Sequence, residues 1–331
     1  MARPAVLTLK GAFSPNPRLE PLLDGTIRIP GVEIKWQSGV PGDLHLMHLT
    51  ENACDIFEFS ISNYIITRDQ PAERERLRWT AFPIFLSKAF MWLRFYVHVN
   101  SGITSLADLS GKRVGGPDYH MTAAIWMLIM LRELYGIRPQ DIEWFNGRPP
   151  GISHGTHIGE TLAPGIVLTR ATYAGELEDR LRRGDLDAAY GMTGGFTETN
   201  TVRSLVGAGD TSKIVGEFHR KAGMTPVNHV LIVQQELIER YPEIAGELYR
   251  AIEMSKQEAY KRAQRSAPGY LLFSEDVFAQ QAALFGEDPF PSGLATNRTM
   301  LETLARALFE EGLISRMPDI DRLFCEALRS T

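Results

Sequence analysis

The sequence predicts a two-lobed α/β protein, with mixed sheets flanked by helices and a cleft between the lobes. Three observations carry this expectation. Short apolar, strand-like runs alternate with helical stretches, the order that builds α/β layers. The alternation occurs twice, so the chain leaves a first lobe near residue 95, builds a second, and returns near residue 228. The remainder is a series of long amphipathic helices. The expected organisation is therefore 1–97 as the first part of lobe 1, 98–224 as lobe 2, and 225–331 as the return to lobe 1 with C-terminal helices. Two crossings make a hinge, and ligands of such sheets bind between domains at the carboxyl ends of strands.

Taken in order, residues 5–9, 32–36 (VEIKW), 55–59 (DIFEF) and 80–86 read as strands, with helical turns at 21–24, 43–50 and 61–68. This βαβ order argues for a largely parallel sheet. Residues 90–99 (FMWLRFYVHV) read as one long aromatic strand. A short helix at 105–109, a strand at 112–114 and a helix at 121–134 ending at Gly136 follow, then strands at 142–145 and 186–190 around a helix at 174–182. The stretches 147–161 and 191–199 are rich in Gly, Pro or Thr and read as loops, and 213–218 completes the lobe. Residues 227–233 (VNHVLIV) return as a strand. Helices are expected at 235–240, 242–267, 274–285 and 293–311, with Gly312 as a stop.

Composition narrows the function. The chain has 331 residues, 44% hydrophobic and 23% charged, with a net charge of −5, which leaves no basic excess to neutralise nucleic-acid phosphates. Cys54 and Cys325 lack metal-type spacing and read as free thiols suited to a reducing compartment. The N-terminus lacks an apolar core and cleavage site of the secretory kind, and no run approaches the ~20 apolar residues of a membrane span. The expectation is a cytoplasmic protein without nucleic-acid or membrane partners, for which a homo-oligomer is a compatible state.

The candidate site centres on 111–123, GKRVGGPDYHMTA. A strand, a glycine turn and a helix start follow one another, and the free N–H groups of a helix start attract carboxylates and phosphates. Gly116, Asp118, Tyr119, Met121 and Thr122 thus become candidate binding residues, and His120 a cation or proton donor; the alternative is a turn that binds nothing. Glu58 interrupts an apolar strand end and either faces solvent or is buried with a partner. Ser60 and Ser62 follow it as possible donors or plain N-caps. Lys88 and Arg94 flank the aromatic stretch as candidate carboxylate clamps, although an Arg there can equally stack on rings. His154, His157 and Glu160 (HGTHIGE) superficially suggest a metal site, but a Gly/Pro-rich segment brings no ligand face together, so they are assigned to a surface loop and no metal is expected. His45 and His48 lie one helical turn apart, a spacing that rarely chelates.

The segment 103–114, ITSLADLSGKRV, is similar to the start of the second lobe in type II periplasmic-binding-protein-like folds. With LLDGTIRIPGVEI, DIFEFSISNYI (55–65), FPIFLSKAF (82–90), GPDYHMTAAIW (116–126), GDLDA (184–188) and FGEDPFPSGLATNRTMLETLARALFEEGLISR (285–316), the chain resembles the 4,5-dihydroxyphthalate decarboxylase family over nearly its whole length. The last block is the most specific. Departures fall at Gly116–His120, where Val-Pro-Glu-Tyr-Gln is usual, at Lys88 in place of Arg, at Thr225–His229 and in the 191–195 loop.

The resemblance implies an enzyme that protonates the ring carbon bearing the departing carboxylate, giving protocatechuate and CO2 from the family's substrate. Each carboxylate of that substrate has a hydroxyl para to it that feeds in electron density, so no organic cofactor is needed. His229, which matches a family histidine, is the expected proton donor, and Glu58 its partner or the base for the hydroxyl. A hydroxylated aromatic carboxylate is the expected partner molecule. The rivals are a solute-binding protein of an ABC transporter and a family enzyme for a different acid.

Overall fold

The computed structural model of the protein describes residues 5–88, 90, 93–192, 196–207 and 209–331. Its strands in chain order are β1 (Leu7–Phe13), β2 (Val32–Ser38), β3 (Ile56–Ser60), β4 (Trp79–Ser87), β5 (Phe95–His98), β6 (Arg113–Gly116), β7 (Glu143–Asn146), β8 (Val167–Arg170), β9 (Ala188–Tyr190), β10 (Val202–Ser204) and β11 (His229–Gln234). The helices are α1 (Glu20–Leu23), α2 (Pro41–Thr50), α3 (Ile61–Asp69), α4 (Pro71–Arg76), α5 (Thr122–Tyr135), α6 (Gly155–Ile158), α7 (Glu176–Arg183), α8 (Asp210–Ala222), α9 (Gln235–Arg240), α10 (Glu243–Ser266), α11 (Ser274–Phe285), α12 (Leu294–Glu310) and α13 (Ile320–Leu323).

The strands form two sheets, ordered β2-β1-β3-β11-β4 and β10-β5-β9-β6-β7-β8. In the first, β1 runs parallel to β2 and β3, while the returning β11 lies antiparallel between β3 and β4. In the second, β6 to β9 are parallel, and β5 and β10 pair antiparallel at one side. Both sheets are mixed, the first because β11 returns antiparallel to β3 and β4, the second because β5 runs antiparallel to β9 and β10. All five residues of β3 are buried, as expected of a strand covered on both faces. Helix α5 buries every residue from Thr122 to Leu131, so it is a central helix rather than an amphipathic surface one.

Several expectations need correction. The first crossing comes before residue 97: β5 is already hydrogen-bonded to β9 and β10, so Phe95 belongs to the second sheet. The long aromatic strand at 90–99 contracts to β5, and its Met91 and Trp92 lie outside the described residues, as do residues 193–195 of the Gly/Thr loop. Strands β8 and β10 were not legible, because they are only four and three residues long and neither VLTR nor VRS alternates apolar with polar residues over a readable length. Gly115 and Gly116 are strand rather than turn. A Cβ at Gly116 would sit 2.2 Å from the Tyr190 ring, so glycine here permits close packing and not a bend. The segment 147–161 contains α6 and is partly buried. Finally, β11 begins at His229, two residues later than expected, which puts the histidine at the mouth of the strand instead of its middle.

Backbone bonds extend the first sheet to the edge of the cleft: Asn228 N–H donates to Ser87 O at 2.7 Å and Ile61 N–H to Asn228 O at 3.1 Å. Trp126 of α5 reaches across to donate to Val227 O at 2.8 Å.

Candidate active site

The end of β3 and the start of β11 meet at the cleft. In their antiparallel register His229 opposes Ser60 and Leu231 opposes Glu58, so Glu58 and His229 are diagonal neighbours on one face, within reach of long side chains. Irregular pairing with β4 between His229 and Leu231 bends this strand end, the usual way a sheet re-aims one side chain. Glu58 is 1% exposed, which removes the solvent-facing alternative. Its Oε2 accepts from Ser14 N–H at 2.9 Å and Ser14 O–H at 2.5 Å, and its Oε1 lies 2.5 Å from His229 Nδ1. Burial alone would raise the Glu58 carboxyl, but the charge and hydrogen bond of His229 and the two bonds from Ser14 hold it below its ordinary value. A carboxylate can only accept, so Nδ1 of His229 carries a proton and Nε2 is the ring nitrogen left for a bound molecule.

Ser60, Ser62 and Thr122 form a buried hydroxyl cluster that ties the two lobes. Ser62 O–H donates to His120 O at 2.8 Å, and Ser62 N–H donates to Thr122 Oγ1 at 3.0 Å. Thr122 Oγ1 is 2.8 Å from Ser60 Oγ and 3.0 Å from Ser62 Oγ. With the Ser62 proton committed to a carbonyl, a Thr122 hydroxyl that donates to Ser60 leaves the Ser60 O–H free to donate into the cavity.

The cation of the site is Arg148, just past the carboxyl end of β7. Asp118 is fully buried and accepts from Arg148 at 2.8 Å, Ser153 O–H at 2.6 Å and His154 N–H at 3.4 Å. These bonds satisfy a carboxylate that would otherwise be costly to bury. The guanidinium is thus oriented from behind, and its remaining donors suit a carboxylate. His154 donates Nε2–H to Gly42 O at 2.9 Å, linking lobe 2 to the first turn of α2. Because that nitrogen carries the proton, Arg148 3.4 Å away packs against the ring without bonding to it. Burial, then the Arg148 charge, pushes His154 down to about 4, so the ring is neutral near pH 7.

Ser60, Thr122, Arg148, His154 and His229 line one cavity of about 290 Å3, which also takes in His45, Pro117, Met121, Ala123, Glu178, Met192 and Asn228. His45 on α2 packs edge-on against His229, ring centroids 4.8 Å apart, and is held neutral by burial and by its histidine neighbours. Its Nε2 is buried without a partner. Of the sequence-stated candidates, Ser60, Met121, Thr122 and His229 line this cavity, and Glu58 stands behind His229.

The others are elsewhere. His120 is fully buried and faces Glu160 at 3.2 Å, away from the cavity; Arg170 holds the other oxygen of Glu160 at 2.6 Å. Tyr119 is buried and donates to Glu311 at 2.9 Å. Gly116 packs on Tyr190, and Asp118 acts only through Arg148. Lys88 lines a separate cavity of about 180 Å3 with His219, Thr225 and Asn297, where burial pushes its amine down to about 8. Arg94 is exposed. The chain between β6 and α5 turns so tightly that successive side chains leave in different directions, which is why this stretch supplies fewer cavity residues than its composition promises.

Arg148, His45 and His154 were missed as site residues. Arg148 had a usable signal, its position directly after a strand of a parallel sheet. His154 was assigned to a surface loop, yet it is 3% exposed. Among the described residues no group of three or more His, Cys, Asp or Glu is placed to hold a metal ion.

No protein-family model matches the chain. The chain is 29% identical over 326 residues to the 4,5-dihydroxyphthalate decarboxylase of Comamonas testosteroni, covering 96% of each. It is 30% identical over 185 residues to the 4,5-dihydroxyphthalate decarboxylase of Pseudomonas putida, covering 56% of this chain and 70% of that one. Among solved structures, it is similar to the periplasmic aliphatic sulphonate binding protein SsuA from Escherichia coli, with a TM-score of 0.54, 15% identity and coverage of 97% and 92%. The alkanesulfonate-binding protein SsuA from Xanthomonas axonopodis pv. citri gives 0.54, 13%, 98% and 99%. These structural likenesses establish the periplasmic-binding-protein-like fold.

Proposed function

The chain belongs to the 4,5-dihydroxyphthalate decarboxylase family and is a decarboxylase, and from that premise we propose that it releases CO2 from a hydroxylated aromatic acid in the cavity between its sheets, with His229 as proton donor. The observation that carries this reading is His229, paired with Glu58 behind it at 2.5 Å, lining the same cavity as an arginine held by a buried aspartate. In the proposed step the His229 imidazolium gives its Nε2 proton to the ring carbon bearing the carboxylate. Electron density comes from the hydroxyl para to it, whose proton passes to water before the step and returns to the ring oxygen after it, or is held in a strong hydrogen bond throughout. The carbon–carboxylate bond then breaks, its electron pair restores the aromatic ring, and CO2 leaves. His229 regains a proton from water, so one proton is consumed per turnover. Glu58 keeps the cationic form of the ring paired throughout, the arrangement a general acid needs.

Glu58 itself is saturated by Ser14 and His229, which favours the role of histidine partner over that of hydroxyl base. Arg148 and the Ser60 hydroxyl would hold the carboxylates, and the start of α5 adds free N–H groups to that side of the cavity. Met121, Met192 and Pro117 supply apolar wall for a ring. We assign the reaction to a reducing, cytoplasmic setting, in keeping with two free, buried thiols at Cys54 and Cys325.

The test is CO2 release from a panel of hydroxylated phthalates and benzoates. We expect turnover of at least one acid with a hydroxyl para to the carboxylate and none without it. Tight binding of an acid with no CO2 release would instead support a solute-binding protein. A His229→Ala variant retaining full turnover would remove that residue from the mechanism.

A further inference from the structure

The decarboxylation leaves one proton without a protein partner. A hydroxyl para to the departing carboxylate feeds density into the ring best when something accepts its hydrogen bond. Glu58, saturated by Ser14 and His229, is not free to do so. The cavity wall holds an unused acceptor in His45.

His45 lies on α2, one helical turn beyond Pro41 and Gly42, and all three line the cavity. The ring is 4% exposed. Other rings fix it in place: Phe59, His229 and His154, with centroids 5.0, 4.8 and 5.8 Å away. Among the described residues it makes no hydrogen bond, and its Nε2 is buried without a partner. Buried polar groups are as a rule paired, so an unpaired one on a substrate cavity marks a bond that the bound molecule completes. His48 is also unpaired, but it stacks on Phe57 at 3.9 Å and is not among the cavity residues. Glu178, the carboxylate on the cavity wall, is only half-buried and has solvent to satisfy it.

The surroundings decide which half of the bond His45 supplies. Burial, then the neighbouring His229, His154, His48 and Arg148, hold the ring well below its ordinary value, so it is neutral. A neutral imidazole has one bare nitrogen and can accept. His229 is paired with a carboxylate and His45 is not, and two like groups in opposed environments divide the acid and base roles between them.

We propose, on the basis of the ring protonation set out above, that His45 accepts the hydrogen bond of the substrate's para hydroxyl and is the second catalytic residue beside His229. The proton stays within this one O–H···N bond. It moves toward His45 as the His229 Nε2 proton reaches the ring carbon, and back to oxygen once the carbon–carboxylate bond has broken and CO2 has left. His45 takes on positive charge as His229 gives it up, so the two imidazoles together carry the same charge through the step.

Binding and turnover test this separately. His45→Phe keeps a flat ring against Phe59 and His229 and removes the acceptor, whereas His45→Gln keeps one. In a His229→Ala background, where the acid is bound and not consumed, calorimetry should find 4,5-dihydroxyphthalate preferred over phthalate by about tenfold, the worth of one hydrogen bond. Adding His45→Phe should abolish that preference and leave phthalate affinity unchanged, and adding His45→Gln should retain it. With His229 present, His45→Phe should lower kcat by about 10²-fold. Fluorine next to the para hydroxyl lets that hydroxyl ionise unaided, so the ratio of wild-type to variant kcat should shrink on the fluorinated acid. A packing defect gives the same ratio on both acids.

The two readings fail separately. A wild type that releases CO2, with a His45→Phe variant keeping both the preference and more than about a third of kcat, overturns the role of His45 alone. So does an equal ratio on the two acids, or a loss of preference carried by Glu178→Gln in its place. A wild type that releases no CO2 overturns the ring protonation and this role with it.

Discussion

His229 Nδ1 stands 2.5 Å from Glu58 Oε1, and the other oxygen of Glu58 is locked by the Ser14 backbone and hydroxyl. The pair fixes which face of the imidazole meets the cavity and supplies the counter-charge when the ring is cationic. Replacing Glu58 with Gln tests both roles. The amide oxygen must accept from Ser14, which turns the NH2 toward His229 and reverses the polarity of that bond. Nδ1 becomes an acceptor, and the cationic ring loses its partner. General acid catalysis contributes typically 10²–10⁴-fold, so kcat should fall by about 10² while KM stays within a few-fold. A Glu58→Gln variant that keeps the wild-type kcat would mean that Glu58 does not govern the proton donor.

Arg148 should act on binding. Its guanidinium is oriented by Asp118 at 2.8 Å and lines the cavity. A charge-assisted bond is worth about 1.5–3 kcal/mol, so Arg148→Gln should raise KM by about ten- to a hundredfold. Asp118→Asn removes the charge that aims it while keeping an acceptor for Ser153, and should raise KM less, with kcat nearly unchanged. Steady-state kinetics on the best acid of the panel separates the two, and a kcat-only effect in Arg148→Gln would move the arginine from substrate binding to the chemical step.

The strand-borne part of the site was legible in the sequence because its signals are local. Glu58 is an acid inside an apolar strand and His229 a histidine on a crossing strand, and both stand out against their neighbours. The turn after β6 was read less well for a physical reason. Spacing gives proximity along the chain but not direction, and here Asp118 turns to Arg148, Tyr119 to Glu311 and His120 to Glu160. Their partners lie 30, 192 and 40 residues away, beyond any local pattern. The block that best carried the family resemblance is likewise architectural. Asp288 accepts from Lys256 at 2.7 Å and Tyr260 at 2.8 Å, and the Phe290 ring packs under the Arg18 guanidinium at 3.4 Å, none of it in the cavity. Strong sequence pattern marked the fold, while the cation of the site sat in a segment read as loop.

That difference makes Lys88 and Arg94 a useful pair of controls. Both were candidate carboxylate clamps, yet Arg94 is exposed and Lys88 faces its own small cavity beside Phe290. Lys88→Gln and Arg94→Gln should each leave KM within about twofold of wild type, the range expected of groups that touch no substrate. A tenfold rise in KM for either, measured beside Arg148→Gln, would place the carboxylate seat on the hinge side instead.

Glu311 gives a stability prediction independent of catalysis. It is 5% exposed, accepts from Tyr119 at 2.9 Å, and burial pushes its carboxyl from 4.5 up to about 7. A carboxyl with a raised folded-state value binds its proton more tightly in the folded protein. Its favourable contribution is therefore complete below 4.5 and is lost as the pH rises through about 7. A shift of this size corresponds to about 3 kcal/mol as an upper figure. Glu311→Gln keeps an acceptor for Tyr119 and removes the ionisation. Urea denaturation should find the variant more stable than wild type at pH 8, by up to about 3 kcal/mol, with the two nearly equal at pH 4.5. Stability curves that run parallel across this range would show that Glu311 ionises freely in the folded protein.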